Sequence, residues 1–177
     1  MAPDIKKIVS RQFINCKFVK CDFTGCNFSD TLFSDSIFTG CNFSNVIFKN
    51  TKLQNINFSE CKLLGINFME INRLLVKLSF KNSMISNCNF SELNLSATSF
   101  NNCEVKDSDF YKTDLSKSVF LNSSLQGTLF DSTILKGTDF TEATNYNINP
   151  ANNKIKGAKF SYPEVLNLLN IFEIEIN

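Results

Sequence analysis

The residues of this chain with the clearest capacity for chemistry are its seven cysteines, because a thiolate can act as a nucleophile or as a metal ligand. They are Cys16, Cys21, Cys26, Cys41, Cys61, Cys88 and Cys103. No two of them form a Cys-x-x-Cys pair, and the sequence contains no histidine to complete a zinc site or to serve as a general base. The spacing therefore predicts buried, reduced thiols, with neither a metal centre nor a cofactor.

Carboxylates are the second group with catalytic potential, and they are dense between Glu104 and Asp114. Acid–base catalysis needs a pocket that removes water from such groups and shifts their pKa values. Their positions in the pattern described below place them on a solvated, convex wall. We therefore predict that the protein is not an enzyme.

Apolar side chains recur at every fifth residue, and we call these positions the beat. This repeat determines where all of the groups named above lie. Every one of the 19 phenylalanines except Phe172 is on it, and Leu, Ile or Val occupies most of the other beat positions. A period of five matches neither an α-helix nor a simple strand. It indicates a solenoid of short repeats whose beat residues point inward.

Each repeat is predicted to form a short extended wall followed by a corner. The residue two before the beat faces inward with it, because residues two apart in an extended segment point the same way. All seven cysteines hold this position. All 6 glycines hold the second position after the beat, where a corner needs the left-handed conformation that Gly and Asn accept. The residue between the inward pair faces solvent and is often polar.

The repeats C-D-F-T-G (21–25), C-N-F-S-N (41–45) and T-D-F-T-E (138–142) resemble those of the pentapeptide-repeat family. The resemblance implies an all-β solenoid, namely a right-handed quadrilateral β-helix with four repeats in each coil. From Phe48 onward the beat alternates between Phe and aliphatic residues, which favours an even number of walls. With four walls, Phe forms two opposite columns and aliphatic side chains form the other two.

The repeats predict a β-helix over residues 1–160 and a separate C-terminal segment over residues 161–177. Between Phe68 and Phe80 the chain has two residues more than two repeats require, so we predict a bulge or small loop near 69–77. It is either a tolerated insertion or a contact loop for a partner. Residues 161–164 have the pattern of a capping box that opens a helix, and residues 172–176 alternate as a short strand.

The C-terminal helix and strand are expected to cap the last coil, whose edge a solenoid leaves uncovered. In the family that the chain resembles, the same segment also joins two molecules. The resemblance therefore implies a homodimer with an interface formed by Leu166, Leu169, Ile171, Phe172, Ile174 and Ile176. Capping without dimer formation is the alternative.

The net charge of +1 combines a basic first half, net +5 over residues 1–88, with an acidic second half, net −4 over residues 89–177. The basic residues are not interleaved with exposed aromatic residues, no apolar run is long enough to cross a membrane, and the first residues lack the core of a signal peptide. We therefore expect a cytoplasmic protein with no direct binding to nucleic acid or membrane.

The better-understood members of the family that the chain resembles are the quinolone-resistance (Qnr-type) proteins, which mimic duplex DNA and bind DNA gyrase or topoisomerase IV. The resemblance implies a non-catalytic DNA mimic in which Asp107, Asp109, Asp114, Asp131 and Asp139 stand in for phosphates. The alternative is a structural protein–protein interaction scaffold with no topoisomerase activity. Outward apolar residues such as Leu129 and Ile134 favour that alternative.

Overall fold

Parallel pairing between successive coils establishes the architecture. The computed structural model describes residues 7–175. Gln12 pairs with Leu32, and Leu32 pairs with Lys52, so twenty residues complete one coil. Each coil therefore contains four repeats, and the chain forms a right-handed quadrilateral β-helix of about 7 turns. This confirms the fold class that the repeats imply.

We number the four walls from the repeat that contains Phe13. Walls one, two, three and four begin with the beat residues Phe13, Phe18, Phe23 and Phe28, and each later coil adds one residue to every wall. Many repeats pair only through isolated bridges. The strands are β1 (Gln12–Ile14), β2 (Lys17–Val19), β3 (Leu32–Ser34), β4 (Ile37–Thr39), β5 (Lys52–Gln54), β6 (Ile56–Ser59), β7 (Lys62–Leu64), β8 (Leu78–Lys81), β9 (Met84–Ser86), β10 (Ser99–Asn101), β11 (Glu104–Lys106), β12 (Leu129–Phe130), β13 (Asp139–Phe140), β14 (Asn147–Ile148) and β15 (Lys159–Phe160).

Two opposite columns of phenylalanine fill most of the interior. On wall two, the ring centroids of Phe100 and Phe120 lie 4.6 Å apart with an interplanar angle of 1°. Phe110, on wall four, meets Phe100 edge to face at 5.8 Å. Walls one and three contribute the aliphatic residues Leu115 and Val105 at this level, and all of these side chains are buried. The predicted division into aromatic and aliphatic columns is confirmed.

The substitution Phe100→Ala tests this packing. We expect it to lower the free energy of unfolding by about 3–5 kcal/mol, because it leaves a cavity between stacked rings that the coils cannot close. Urea denaturation followed by circular dichroism measures the effect. The exposed ring of Phe172 provides the control, and Phe172→Ala should change the same quantity by no more than about 0.5 kcal/mol.

Buried hydroxyl groups form a second set of columns, at the position two before the beat. The Thr113 hydroxyl donates to the carbonyl oxygen of Phe90, one coil earlier, at 2.8 Å. The Ser123 hydroxyl donates to the carbonyl oxygen of Phe100 at 2.6 Å and accepts from the Cys103 N–H at 2.9 Å. The pattern of small residues predicted only their inward direction. The structure adds that these side chains satisfy backbone groups at the corners between walls.

Replacement of Thr113 by Val tests the hydroxyl column. Thr113→Val keeps the shape of the side chain but leaves the Phe90 carbonyl oxygen without this donor, so we expect a loss of about 1–3 kcal/mol of stability in urea denaturation. Thr113→Ser retains the hydroxyl and should recover part of the difference. Equal stability of the Val and Ser variants would contradict a role for the hydrogen bond.

The register changes once in the middle of the tube, where the chain passes from wall one to wall two. Ile56 pairs with Leu78, which makes a separation of 22 residues in place of twenty. A 3-10 helix over Phe68–Glu70 precedes this change, and residues 73–75 then turn outward. Val76 returns to the interior and packs against the core. The two extra residues are therefore accommodated as a small outward loop, and the coils above and below it remain stacked.

A 3-10 helix over Glu164–Phe172 lies on the last coil, where Leu168 packs against the core. The capping-box prediction is wrong. The Ser161 hydroxyl accepts from the Glu142 N–H at 3.0 Å, so it belongs to the coil, and no side chain caps the helix, whose N-cap residue is Pro163. Among residues 7–175, no helix has the length and apolar character needed to cross a membrane.

The terminal strand predicted over residues 172–176 is wrong as far as Glu175. Phe172 ends the helix, Glu173 adopts the left-handed conformation, and neither Ile174 nor Glu175 pairs with a strand of residues 7–175. A strand needs a neighbouring strand for its backbone groups, and the helix already covers the last coil. Ile176 lies outside the described residues.

Candidate protein-binding surface

The cysteines line the tube and do not form a site. Cys16 and Cys21 are half-buried, so the prediction of burial is wrong for these two in the first coil, and the other five are buried. The Cys61 thiol donates to the carbonyl oxygen of Phe38 at 3.5 Å, as the buried hydroxyls do elsewhere. Burial raises the pKa of the thiols of Cys61, Cys88 and Cys103 to about 11. Within residues 7–175, no cluster of Cys, Asp and Glu is arranged to hold a metal ion, and the surface opens into no pocket.

The raised thiol pKa values give a test of burial. At pH 8, iodoacetamide should alkylate Cys16 and Cys21 in the native protein and all seven cysteines only in urea, as mass spectrometry of peptides reports. The pKa of a thiol is near 9.0 in the unfolded chain and near 11 when the thiol is buried. The stability that the buried, protonated thiols contribute is therefore complete below pH 9 and is lost as the pH rises toward 11. Native labelling of Cys88 as fast as Cys16 would contradict the arrangement.

The five aspartates predicted to imitate phosphates are distributed around the tube. Asp109 lies on wall four, Asp107 lies at the corner between walls three and four, and Asp131 follows Phe130 at the corner between walls four and one. Asp114 lies on wall one and Asp139 on wall two. The structure thus brings three of them to wall four and its two corners, whereas Asp114 lies on the adjoining wall one and Asp139 on the opposite wall two.

The aspartates in the outward position also hold the turn that follows them. Asp109 Oδ1 accepts from the Tyr111 N–H at 2.8 Å, and Asp114 Oδ1 accepts from the Ser116 N–H at 2.9 Å. The sequence pattern did not lead us to predict this role. It could have been recognised from the recurrence of Asp or Asn two residues before Ser or Thr in many repeats. One carboxylate oxygen is therefore engaged, and the other remains for a partner.

Asp139 also forms an ion pair with a lysine of the next coil. Its Oδ2 atom lies 3.2 Å from Lys159 Nζ, one coil later on wall two. Hydrogen bonds from Thr141 and then from Lys159 hold the pKa of this carboxyl below its ordinary value. Because a lysine already neutralises it, Asp139 contributes little negative potential to a partner.

The charges separate by wall, which the sequence alone does not show. Carboxylates on wall three, on wall four and at the corners of wall four form what we call the acidic edge, consisting of Glu92, Glu104, Asp107, Asp109 and Asp131. Arg73 pairs with Glu92 at 3.3 Å, and Lys112 lies near Glu92 and Asp131, so the negative charge is concentrated at Glu104, Asp107 and Asp109. The acidic edge spans three coils, or roughly 10 Å along the axis at the usual strand spacing. Walls one and two carry lysines over the later coils: Lys117, Lys136, Lys154, Lys156 and Lys159. Both sets belong to residues 89–177, so the acidic half of the sequence itself carries carboxylates and lysines on different walls.

Wall four also exposes apolar side chains beside the acidic edge. Leu129, which pairs with Asp109, has 62% of its surface exposed, whereas Ile134 on wall one is half-buried. The Lys112 ammonium lies 4.8 Å from the ring centroid of Tyr111. Wall four is thus a mixed surface of carboxylates, single apolar groups and a lysine.

The helix residues predicted to join two molecules lie at the C-terminal end of the tube. Leu166 and Leu169 are half-buried, whereas Ile171, Phe172 and Ile174 are exposed. The remaining residue of that prediction, Ile176, lies outside the described part of the chain. The dimer contact therefore stays a prediction.

The repeats of this chain match the sequence models of known repeat families. A sequence model of the pentapeptide repeat region matches residues 11–90. The twenty-residue register continues far beyond that match, to the bridge between Ile134 and Lys154. The tandem repeats of this chain are pentapeptide repeats. A model of the luminal domain of SV2A, SV2B and SV2C also matches residues 66–130, within the same array of repeats. No curated protein sequence matches this chain.

Several solved structures align with most of this chain, and the match with a TM-score of 0.51 supports a shared fold. A trypsin-treated variant of QnrB1, described as a plasmid-mediated fluoroquinolone resistance protein, is 17% identical with a TM-score of 0.51, and the match covers 98% of each chain. A second trypsin-treated QnrB1 variant is 20% identical, with a TM-score of 0.49 over 97% of this chain and 90% of that one. HetL from the cyanobacterium Nostoc sp. strain PCC 7120, involved in heterocyst differentiation regulation, is 11% identical, with a TM-score of 0.27 over 89% of this chain and 90% of that one.

Proposed function

We propose that this protein is a non-catalytic binding protein whose acidic edge docks on the DNA-binding surface of a type II topoisomerase, as the Qnr-type DNA mimics that it resembles do. The observation that supports this proposal is the convergence of Asp107, Asp109 and Asp131 on adjoining walls of successive coils. Carboxylates on one edge of a rigid rod present negative charge to a basic groove, as a row of phosphates does.

The acidic edge is held in place before any partner arrives. Asp109 is fixed by its hydrogen bond to the Tyr111 N–H, and the Asp107 side chain lies against Gly127, where it fills the space that a Cβ would need. Side chains that are already ordered lose little conformational entropy on binding. A fixed array of carboxylates is therefore a better ligand than the same charges on a flexible segment.

The proposal uses one side of the tube. Asp114 and Asp139 lie among the lysines of walls one and two, so they are excluded from the docking edge although the sequence resemblance includes them. The proposed activity needs no cofactor and no direct contact with nucleic acid, and it places the protein in the cytoplasm, where topoisomerases act. Self-association through the C-terminal end, as predicted from the sequence, lengthens the rod that a partner meets.

A second candidate function is a protein–protein interaction scaffold without topoisomerase activity. The exposed side chain of Leu129 favours it, together with the partly exposed Tyr111 and Met69 on the same wall. In that case the contact depends on apolar burial at wall four, and the carboxylates around it serve mainly to orient the partner.

Supercoiling by DNA gyrase, with and without a fluoroquinolone, tests the first proposal. The variant Asp107→Asn/Asp109→Asn/Asp131→Asn removes three charges, and Asn can keep the hydrogen bond to the Tyr111 N–H. We expect it to lose at least about tenfold in potency, because each charge contributes to steering and to complementarity. The matched control Asp114→Asn/Asp139→Asn/Glu142→Gln removes three charges from other walls and should act like the unmodified chain.

The remaining outcomes separate the two functions. If the unmodified protein at micromolar concentration neither inhibits gyrase nor protects it from the drug, the topoisomerase proposal is wrong. If the two triple variants lose potency equally, the effect is one of net charge and the acidic edge is not the docking surface. Binding that survives both triple variants but is lost in Leu129→Ser supports the scaffold.

A further inference from the structure

The later coils of wall one carry an exposed group of lysines. Lys154 takes the outward position, one residue before the beat, and Lys136 and Lys156 each follow a beat residue of this wall. All three are exposed, and within residues 7–175 none of them takes part in an ion pair. Half-buried Ile134 lies next to them, because it pairs with Lys154 across the coils. We call Ile134, Lys136, Lys154 and Lys156 the wall-one patch.

Wall four carries complementary groups in the same two positions of its later coils. Asp109 and Leu129 are outward residues that pair with each other across the coils. Tyr111 and Asp131 follow the beat residues of the same two repeats. Leu129 and Tyr111 are exposed beside the two carboxylates. We call these four residues the wall-four patch.

Two tubes that lie side by side with opposite axis directions bring these patches together position by position. The chain runs around every tube in the same right-handed sense, so the facing strands of two antiparallel tubes run in the same direction. Residues before the beat then face residues before the beat, those after it face those after it, and the order of the coils is reversed. Placing Leu129 opposite Ile134 determines the others. The four facing pairs are Leu129 with Ile134, Asp109 with Lys154, Asp131 with Lys136, and Tyr111 with Lys156.

We propose that wall four of one molecule packs on wall one of a second copy, with the tube axes antiparallel and Leu129 at the centre of the contact. Every facing pair is complementary, because an apolar group meets an apolar group, carboxylates meet ammonium groups, and an aromatic ring meets an ammonium group. Lys112 already lies near Asp131, so Asp109 with Lys154 is the stronger of the two ion pairs. The contact goes beyond the proposed topoisomerase binding and does not depend on it.

Charge and shape disfavour the other side-by-side arrangements. Two copies of wall four would bring carboxylates together, and two copies of wall one would bring lysines together. Parallel tubes would overlap along nearly their whole length and would trap the outward loop of residues 73–75 between the walls. In the antiparallel contact only the later coils overlap. Asp114 then lies opposite Asn147, on the partner's last coil, and the loop, two coils further back, lies beyond that coil.

The contact is heterologous, since the two copies contribute different walls. Each copy therefore keeps one patch free, and a dimer is the smallest product. None of the residues of the predicted C-terminal interface takes part, so the two contacts can be tested separately. Asp109 and Asp131 also belong to the acidic edge, so a partner that docks on that edge competes with the second copy.

Zero-length cross-linking of the full-length chain tests the facing pairs directly. A water-soluble carbodiimide joins a carboxylate to an amine only where the two are in contact. An equimolar mixture of ordinary and heavy-nitrogen copies, at about 100 μM and low salt, suits a contact of small area. We expect linked peptides with one ordinary and one heavy partner that join Asp109 to Lys154 or Asp131 to Lys136. Their absence overturns the proposal.

Charge reversal tests the same contact by sedimentation velocity. The wall-one variant Lys136→Glu/Lys154→Glu and the wall-four variant Asp109→Lys/Asp131→Lys should each weaken association by at least about tenfold. An equimolar mixture should restore it, because the unchanged wall four of the first variant meets the unchanged wall one of the second. A chain with all four substitutions should also associate, because both charges of each ion pair are then reversed.

The matched control Lys62→Glu/Lys81→Glu makes the same charge change on walls three and two, and it should associate like the unmodified chain. Lysine already occupies the outward position at Lys52 and Lys62, so the wall-four variant carries a side chain that this position accepts. Circular dichroism of each variant verifies the fold.

Each other result overturns the proposal. Association that the wall-one variant leaves unchanged does not use this surface. A folded chain with all four substitutions that stays monomeric shows that the contact does not depend on these pairs. Association that Phe172→Glu abolishes and the wall-one variant retains is a contact between C-terminal ends.

The gyrase assay separates this proposal from the proposed function. The wall-one variant keeps every carboxylate of the acidic edge, so its effect on gyrase should at least equal that of the unmodified chain. If neither protein affects gyrase, the proposed function is wrong and the contact between copies is untouched. If the wall-one variant affects gyrase and still self-associates, this contact is wrong and the proposed function is untouched.

Discussion

Parallel pairing at a separation of twenty residues is the constraint on which the rest of the structure depends. Because every coil repeats the one before it, equivalent residues of successive coils stack on each other and form a column. Phe100 stacks on Phe120 at 4.6 Å for the same reason that the Thr113 hydroxyl reaches the carbonyl oxygen of Phe90. The aromatic columns bury apolar area, and the hydroxyl columns satisfy backbone groups that the corners leave out of the ladder. Neither column forms unless the register holds.

The same constraint limits where function can lie. Inward positions are committed to packing, so only the outward residue and the corner residues are free to vary. Even there, Asp109 uses one of its oxygens to hold the turn at Tyr111. Walls of this kind are flat or convex, and they display groups instead of enclosing them. The chemistry available to such a surface is recognition through charge and shape, and the acidic edge beside Leu129 is where both are concentrated.

The ends of the tube differ from its walls because stacking stops there. A coil in the middle has neighbours on both sides, but β1 and β2 have a neighbour on one side only. At the other end the helix over Glu164–Phe172 takes the place of a further coil and leaves an acidic, alternating tail beyond it. The described ends of the tube are therefore unlike in charge and in structure.

The solenoid, the inward columns and the burial of five of the seven cysteines follow from the sequence alone, because a period of five with a fixed order of residue types has one way to hide its apolar side chains. The sequence did not determine which wall each charge reaches, since that depends on the number of repeats in a coil and on the register change at Leu78. It also predicted a capping box at Ser161 and a strand after Phe172, and both were wrong. Both predictions came from local patterns. In the structure the Ser161 hydroxyl accepts a hydrogen bond from the Glu142 N–H of the last coil, and the helix covers the edge with which a strand would pair. Only tertiary structure decides such competition between neighbours for the same hydrogen-bonding groups.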